Sequence, residues 1–580
     1  MSAFLGVECS ATGRRWTGPG AAEDRLSQTL VQETGFGDAL CRVLGRLGVA
    51  PDEAEAYLTP SLRDLMPDPS SLRDMDRAAE RLAAALSRRE RIAVFADYDA
   101  DGATSATLLV DWLRQLGHGA TLYVPDRIKE GFGPNASAMK GLAKAHDVII
   151  CVDCGTVAHE AIAAAEGVDV LVLDHHLGDE TLPPALAVVN PNRRDESGAL
   201  QYLCAAGVVF LLLVATNRLL RAEGRTGPDL LGMLDLVALG TIADVAPLVG
   251  LNRALVRQGL RVMAARNRPG LTALCDIARL DAAPNAYHLG FLLGPRVNAG
   301  GRLGRSDLGA RLLMSTDVDE AAALAEKLDQ LNTERRQIEE RITGEALAQA
   351  ETRGFDNPLV WAAGAGWHPG VVGIVASRLK EAANRPAVVI GFDDKTGIGS
   401  GRSVLGVDLG QAVTRIAAEN LLTKGGGHKM AAGMSLREDQ LEPAMARLGA
   451  LLEKAGAGKI GPAEIRLDGV LEPTAVTADM IAEIDRAGPF GAGADAPRFA
   501  LPAMRVSFAK RAGDSHLRLT LQGRSGARID AIAFGAFKGP LGPLLYDHGG
   551  AAFHVAGQLD IDTWGGRRKP KLRLEDACRA

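Results

Sequence analysis

Between about residues 76 and 225, short apolar runs alternate with helical stretches, and three of the runs pass directly into aspartate with no intervening proline. These three are RIAVFAD (91–97), DVIICVD (147–153) and VDVLVLD (168–174), and ATLYVPD (120–126) and ALAVVN (185–190) are further runs of the same kind. DMDRAAERLAAALSRRE and GATSATLLVDWLRQLG read as helices among them. Such alternation points to a parallel sheet with crossover helices. Parallel strands finish on one edge, and open α/β sheets bind ligands outside that edge. The chain should therefore bring Asp99 and Asp101 of DYDADG, the lone Asp153, and Asp174, His175 and His176 of DHH to one small region.

So many carboxylates together repel one another and take up protons unless a cation neutralises them. Carboxylate with imidazole suits Mn²⁺, Mg²⁺, Fe²⁺ or Zn²⁺, and the excess of oxygen favours the harder ions. Two-metal sites share a carboxylate between ions ~3.5–4 Å apart, and Asp153, alone at its strand end, suits that bridge. Gly102 and Gly155 admit close backbone approach. The competing reading of a single strand-end aspartate is a helix N-cap, a place Asp101 would fill before GATSATLL. Capping accounts poorly for three strands with the same ending. Cys151 and Cys154 form C-V-D-C, a conceivable redox or zinc pair, but Cys151 falls inside the strand and no second C-x-x-C exists.

At ~150 residues per domain, 580 residues suggest about four domains. Residues 1–75 read as an N-terminal helical extension expected to pack on the next part of the chain, and 76–226 as the parallel-sheet domain. Residues 227–355 are helical and close with one long amphipathic helix carrying Leu324, Leu328, Leu331, Ile338 and Ile342, a span between two lobes. Residues 356–455 begin a second α/β unit, with LVWAAG and PAVVIGF as strands and GVVGIVASRLKEAA as a helix. AGAGKIGP is a linker, and 463–578 is a run of short strands separated by turns, a small all-β barrel or sandwich. Aromatics are 4% of the chain, so its core is built from Ala, Leu, Val and Ile.

Hydrophobic residues at 47% and charged residues at 23% exclude a disordered or fibrous chain. No apolar stretch reaches the ~20 residues that span a bilayer, so no membrane role is expected. The start, MSAFLGVECSATGRRW, carries no basic segment followed by an apolar one, so no signal peptide is expected. Seven cysteines, an odd and scattered set, argue for a reducing compartment and a cytoplasmic location. Lys+Arg 65 against Asp+Glu 71 leaves −6, so any nucleic-acid surface has to be local.

DYDADG, VDCG, DHH and GTIADVAPL, in this order, resemble the DHH phosphoesterase superfamily. YVPDRIKEGFG, GPRVNAGGRLG, WHPGVVGIVASRLKE, GSGRS and GGGHKMAAG narrow the resemblance to its single-stranded-DNA-specific 5′→3′ exonucleases, over about residues 60–578. The resemblance implies a multidomain α/β protein: a parallel-sheet DHH domain, a long connecting helix, a second α/β DHH-associated domain and a C-terminal all-β OB-fold. It implies two divalent ions, Mn²⁺ or Mg²⁺, on Asp99, Asp101, Asp153, His175 and Asp244, with Asp153 bridging. His176 would face the scissile phosphate, and Asp174 and Asp97 would be outer or weaker ligands. Some relatives carry a histidine two residues before the first aspartate of DYDADG; here that residue is Phe95.

The Gly-rich GGGHKMAAG, with His428 and Lys429, is a backbone that can cradle phosphate. By resemblance, Ser400 and Arg402 of GSGRS, with Ser403 beside them, would hold a terminal 5′ phosphate, and Arg127 and Arg302 would grip nucleotide phosphates; His368 and Asn298 are further candidates. A narrow cleft between two lobes would admit a single strand and exclude duplex. The β domain offers Lys510, Arg511, Arg518, Arg524, Arg528, Arg567, Arg568, Lys569 and Lys571 to phosphates, and Phe508 and Trp564 as stacking candidates, although Phe508 is expected to be core. The reaction expected is release of 5′ mononucleotides from single-stranded DNA in recombination and repair. A single-strand binding protein and a helicase are expected helpers, and a monomer is expected. The alternative is a DHH-type phosphodiesterase of cyclic dinucleotides or very short oligonucleotides.

Overall fold

The computed structural model describes residues 3–127, 129–562 and 568–580. Trp564 and Arg567 therefore lie outside the described residues.

The first lobe, expected to be the catalytic one, is built on five parallel strands: β1 (Ile92–Ala96), β2 (Ala120–Tyr123), β3 (Val148–Val152), β4 (Asp169–Leu173) and β5 (Ala187–Val189), in the order β2-β1-β3-β4-β5. Every residue of β1 and β3 is buried, as expected of parallel strands covered on both faces. On one face Val94 and Ile150 join the core with Leu108, Leu109 and Val209; on the other, Phe95 and Cys151 pack with Met139 and Ile162. Phe95 also stacks on Tyr123, ring centroids 5.3 Å apart. Its ring belongs to the core and offers no donor atom where some relatives carry a histidine.

Helix α1 (Ala100–Gln115) begins at the end of β1. Its N-cap is Asp99, whose carboxylate accepts from the Asp101 and Gly102 amides. The competing capping reading of Asp101 therefore falls to Asp99. Asp101 instead accepts from the Ala205 and Ala206 amides, at 2.7 and 3.0 Å, at the start of helix α2 (Ala205–Ala222). Gly102 is required here, since a Cβ would lie 2.4 Å from the Asp97 carbonyl oxygen. At 18 residues, α2 is long and apolar enough to cross a membrane by composition, but it is 67% buried inside this lobe and begins on a buried carboxylate. It is a core helix. Helix α3 (Leu234–Ala243) packs on α1 so closely that a Cβ at Gly240 would meet Thr104 Oγ1 and Asp101 Oδ1, and α3 ends at Asp244.

A helical run over 286–303 ends in α4 (Gly294–Leu303), and helix α5 (Val318–Arg353) comes after it. The 36 residues of α5 extend about 54 Å. Leu324, Leu328 and Leu331 belong to the catalytic core and Ile342, Ala346 and Ala350 to the next core, so α5 does span two lobes. The second lobe holds β6 (Val360–Ala365), helix α6 (Pro369–Ala383), β7 (Ala387–Asp393), β8 (Thr396–Arg402), β9 (Lys424–Gly427) and β10 (Ala431–Arg437), in the order β9-β10-β8-β7-β6.

The C-terminal strands β11 (Phe499–Ala512), β12 (His516–Gln522), β13 (Arg528–Ala533), β14 (Ala552–Asp562) and β15 (Lys569–Arg579) close a five-stranded barrel through the β11–β14 pairing. The N-terminal segment packs mainly on this barrel, far from it in sequence, and only in part on the neighbouring sheet domain. Arg15–Thr17 pairs in parallel with Glu464–Arg466, and Leu40, Leu44 and Leu58 share the barrel core with Phe499 and Leu519. Leu62, Met66 and Leu72, at the end of the extension, join the catalytic lobe. Phe508 is also corrected: it is 53% exposed on the outer wall.

Candidate active site

The ends of β1, β3 and β4 bring the acidic residues together. Donor atoms of Asp97, Asp99 and Asp153 lie within 4.8 Å of one another, as do those of Asp101, His175 and Asp244, and those of Asp153, His175 and His176. The first two groups meet where His175 Nε2 stands 3.2 Å from Asp153 Oδ1. Asp153 takes a left-handed backbone, φ 60°, a conformation uncommon for a non-glycine residue. Its Oδ1, His175 Nε2 and Asp97 Oδ1 are buried and have no hydrogen-bond partner. Buried polar atoms are almost always satisfied, so three orphans directed into one cluster of acids fit divalent cations. Burial, followed by repulsion from Asp99, raises the carboxyls of Asp97 and Asp153 well above the usual range. Burial, with Asp101 and Asp99, pushes Asp244 up to about 8.

Asp174 is different. Its carboxylate accepts from the amides of Thr156, His175 and His176 and from His176 Nδ1 at 2.8 Å. Burial opposes its charge, yet these bonds, led by His176, hold it well below the usual range. It belongs to none of the three donor groups and orients His176. Burial also works against a charged His176 ring, but Asp174 outweighs it and raises the ring to about 9. Asn190 and Asn192, in the NPN after β5, donate to the carbonyls of His176 and His175 at 2.8 and 2.6 Å and fix the DHH turn. Sequence reasoning passed over these two; the polar NPN at a strand end was the available signal. It also passed over Phe132, 56% exposed, whose ring meets that of His176 edge-on at 5.5 Å.

The phosphate candidates sort into two places. Arg127 lies over the Tyr98 ring, and its charge acts on Arg302, Arg402 and His368. Burial, then Arg127 and Arg335, lowers Arg302 to about 10; burial, then Arg127, lowers Arg402. Arg402 Nη1 donates to Ser400 Oγ at 2.9 Å, and Arg302 Nη1 donates to the Gly370 carbonyl at the start of α6. His368 caps α6, and Asn298 accepts from the Ala100 amide at 2.7 Å, bracing the DYDADG turn. Ser403 is turned away: it is buried and donates to the Val407 carbonyl. His428 and Lys429 line a cavity of about 760 Å³ with Leu177 of the catalytic lobe. Cys151 and Cys154 are free, and burial raises both thiols, so neither is primed for redox or metal chemistry.

Residues 91–241 match the DHH family, N-terminal domain; residues 356–454 match the DHHA1 domain. Fold and site thus define a two-lobed DHH protein. Residues 467–576 match the RecJ OB domain. The chain is 38% identical over 577 residues to the single-stranded-DNA-specific exonuclease RecJ of Dickeya dadantii, covering 95% of this chain and 98% of that protein. It is 36% identical to that of Escherichia coli, over 90% and 92% of the two chains, and 36% identical to that of Bacillus subtilis, where it covers 88% of this chain but 64% of the longer relative. The crystal structure of Thermus thermophilus RecJ in complex with Mn²⁺ superposes with a TM-score of 0.80 at 31% identity, over 97% of this chain and 79% of that one. The chain belongs to the RecJ family.

Proposed function

We propose that the chain is a metal-dependent exonuclease that releases 5′ mononucleotides from the 5′ end of single-stranded DNA in recombination and repair. The observation that carries this reading is adjacency. A cation-fitting cluster of aspartates and His175 lies beside Arg302 and Arg402, both lowered by burial and then by the charge of Arg127. Repelling guanidiniums favour an anion among them, and a terminal phosphate held there would register the next phosphodiester on the metal cluster. The relatives named above carry single-strand specificity in their names, and one was crystallised with Mn²⁺.

Asp97, Asp99 and Asp153 would hold one ion and Asp101, His175 and Asp244 the other, with Asp153 shared. When bound, the ions supply charge neutralisation, polarisation of a phosphoryl oxygen and activation of water. His176, held in place by Asp174 through Nδ1, offers its charged ring to the developing negative charge on phosphorus-bound oxygen. Phe132 covers one edge of that ring. Arg402, oriented by Ser400, and Arg127 would clasp the terminal phosphate. Attack at dinucleotides is the weaker reading, because the barrel domain matches a module of the single-strand exonucleases. Single-strand binding protein, a helicase and a monomeric state are proposed with the same reading.

The test uses Mn²⁺ and single strands labelled at either end, with a 5′ phosphate or a 5′ hydroxyl. Mononucleotides should leave from the 5′ end, and duplex should resist. Arg402→Ala should slow the 5′-phosphorylated strand roughly 10- to 100-fold, the worth of a charged hydrogen bond, and leave the 5′-hydroxyl strand nearly unchanged. Equal slowing of both strands removes Arg402 from end recognition.

A further inference from the structure

The outer wall of the barrel carries an ordered pattern. Strand register sets Lys510 against Arg518, Arg518 against Ile532 and Ile532 against Arg573, so three cations line up across four strands. The flanking Leu517, Leu519, Ala531 and Leu572 are buried, and strand alternation therefore turns the cationic row outward. In a chain of net charge −6 this row is a local basic track.

At the end of the row, the Arg573 guanidinium lies 5.3 Å from the Tyr287 ring centroid and 5.6 Å from that of Phe534. Tyr287 stacks on Phe291 at 5.0 Å, and His516 props Phe534 edge-on at 5.4 Å. These rings are 45%, 69% and 56% exposed for Tyr287, Phe291 and Phe534, in a chain with few aromatics. Tyr287 and Phe291 belong to the catalytic lobe, on the helical run that includes a π-helical turn over Leu289–Leu293 and continues into α4; such turns are frequent at functional sites. The positions 287, 291, 295, 298 and 302 all escape full burial and recur every three or four residues. They form one strip about 22 Å long, from Tyr287 to Arg302 beside the acidic cluster.

We infer that Tyr287, Phe291, Phe534 and Arg573 form a stacking platform that passes the bases of a single strand from the barrel wall to the helix leading into the active site. This deepens the exonuclease reading and rests on it. The occupant is single-stranded nucleic acid: exposed ring faces and a planar guanidinium accept any base, and the Lys510–Arg518–Arg573 row meets a phosphate backbone with complementary charge.

The experiment uses the full chain carrying Tyr287→Ala, Phe291→Ala and Phe534→Ala together. Binding of a 30-nucleotide strand containing 2-aminopurine is measured in EDTA, and turnover of a 5′-phosphorylated tetranucleotide in Mn²⁺. Affinity for the long strand should fall about tenfold or more, quenching of internal 2-aminopurine should be lost, and tetranucleotide turnover should stay unchanged. A second variant with tryptophan at the three positions should restore quenching. Unchanged affinity and quenching would show that the rings only clasp the barrel to the lobe, and equal losses on both substrates would show displaced domains; either result overturns the platform. Wild-type protein that cleaves single strands at all keeps the exonuclease reading whatever the variants do, whereas wild type that neither binds nor cleaves them refutes that reading first.

Discussion

Asp153→Ala is expected to lower turnover of single-stranded DNA by at least about a thousandfold, on the scale of losing a principal electrostatic stabiliser of a transition state, while affinity for the strand in EDTA stays within about threefold. Asp153 takes part in two of the three donor groups, and its Oδ1 faces His175 Nε2 without a hydrogen bond. His175, the other residue found in two groups, belongs to the second set, so removing Asp153 takes a donor from the first set and the carboxylate proposed to be shared with the second. The arginines proposed to grip phosphate and the barrel are not in its donor groups, which is why binding should survive. Stability gives an independent reading. Burial and the charges of Asp99, Asp101, Asp97 and Asp244 all disfavour an ionised Asp153, so without metal the variant should unfold no earlier than wild type. Mn²⁺ should raise the wild-type midpoint, since a ligand of the native state stabilises it, and should raise the variant's far less. Scanning calorimetry with and without Mn²⁺ checks this, and an equal Mn²⁺ shift in both proteins would take Asp153 out of the ion site.

The strand-end aspartates were legible because parallel strands have only one carboxyl edge: Asp99, Asp101, Asp153, Asp174, His175 and His176 follow from period and topology alone. Asp244 does not. It comes after a buried helix, and only family resemblance pointed to it, because nothing local distinguishes it from a C-terminal helix residue. The exchange of roles between Asp99 and Asp101 was hidden for a related reason. Asp101 is satisfied by amides of a helix that begins 104 residues later, so the choice of cap was made by tertiary packing. Phe508 was misplaced because a register shift between Val506 and Phe508 reverses the inward–outward count. The acid site was thus readable, while the surfaces that would lead a strand to it depend on register and on domains meeting. Arg573, Phe534 and Tyr287 come from three distant segments, and no spacing rule joins them.

The same long-range dependence makes the first residues of the chain part of the barrel unit. Trp16 is fully buried between Val7, Ile465, Leu467, Ala500 and Ala556, and its Nε1 donates to Asp576 Oδ2 at 3.0 Å. Asp576 is itself fully buried on β15, so residue 16 closes a contact with the far end of the sequence. Trp16→Ala removes a large core side chain, which costs about 3–5 kcal/mol, and leaves a buried carboxylate oxygen without its donor, about 1–3 kcal/mol more. For a unit of this size the first loss alone lowers the midpoint by roughly 6–20 °C. The expected result is an early unfolding transition of the barrel and N-terminal segment, with the catalytic lobe melting as before. Above that transition, affinity for long single strands in EDTA should collapse while a 5′-phosphorylated tetranucleotide is still turned over in Mn²⁺. Trp16→Phe, which keeps the ring and loses only the N–H, should cost no more than the smaller figure. A single transition at the wild-type temperature for Trp16→Ala would mean that the N-terminal strand lies on the barrel without supporting it.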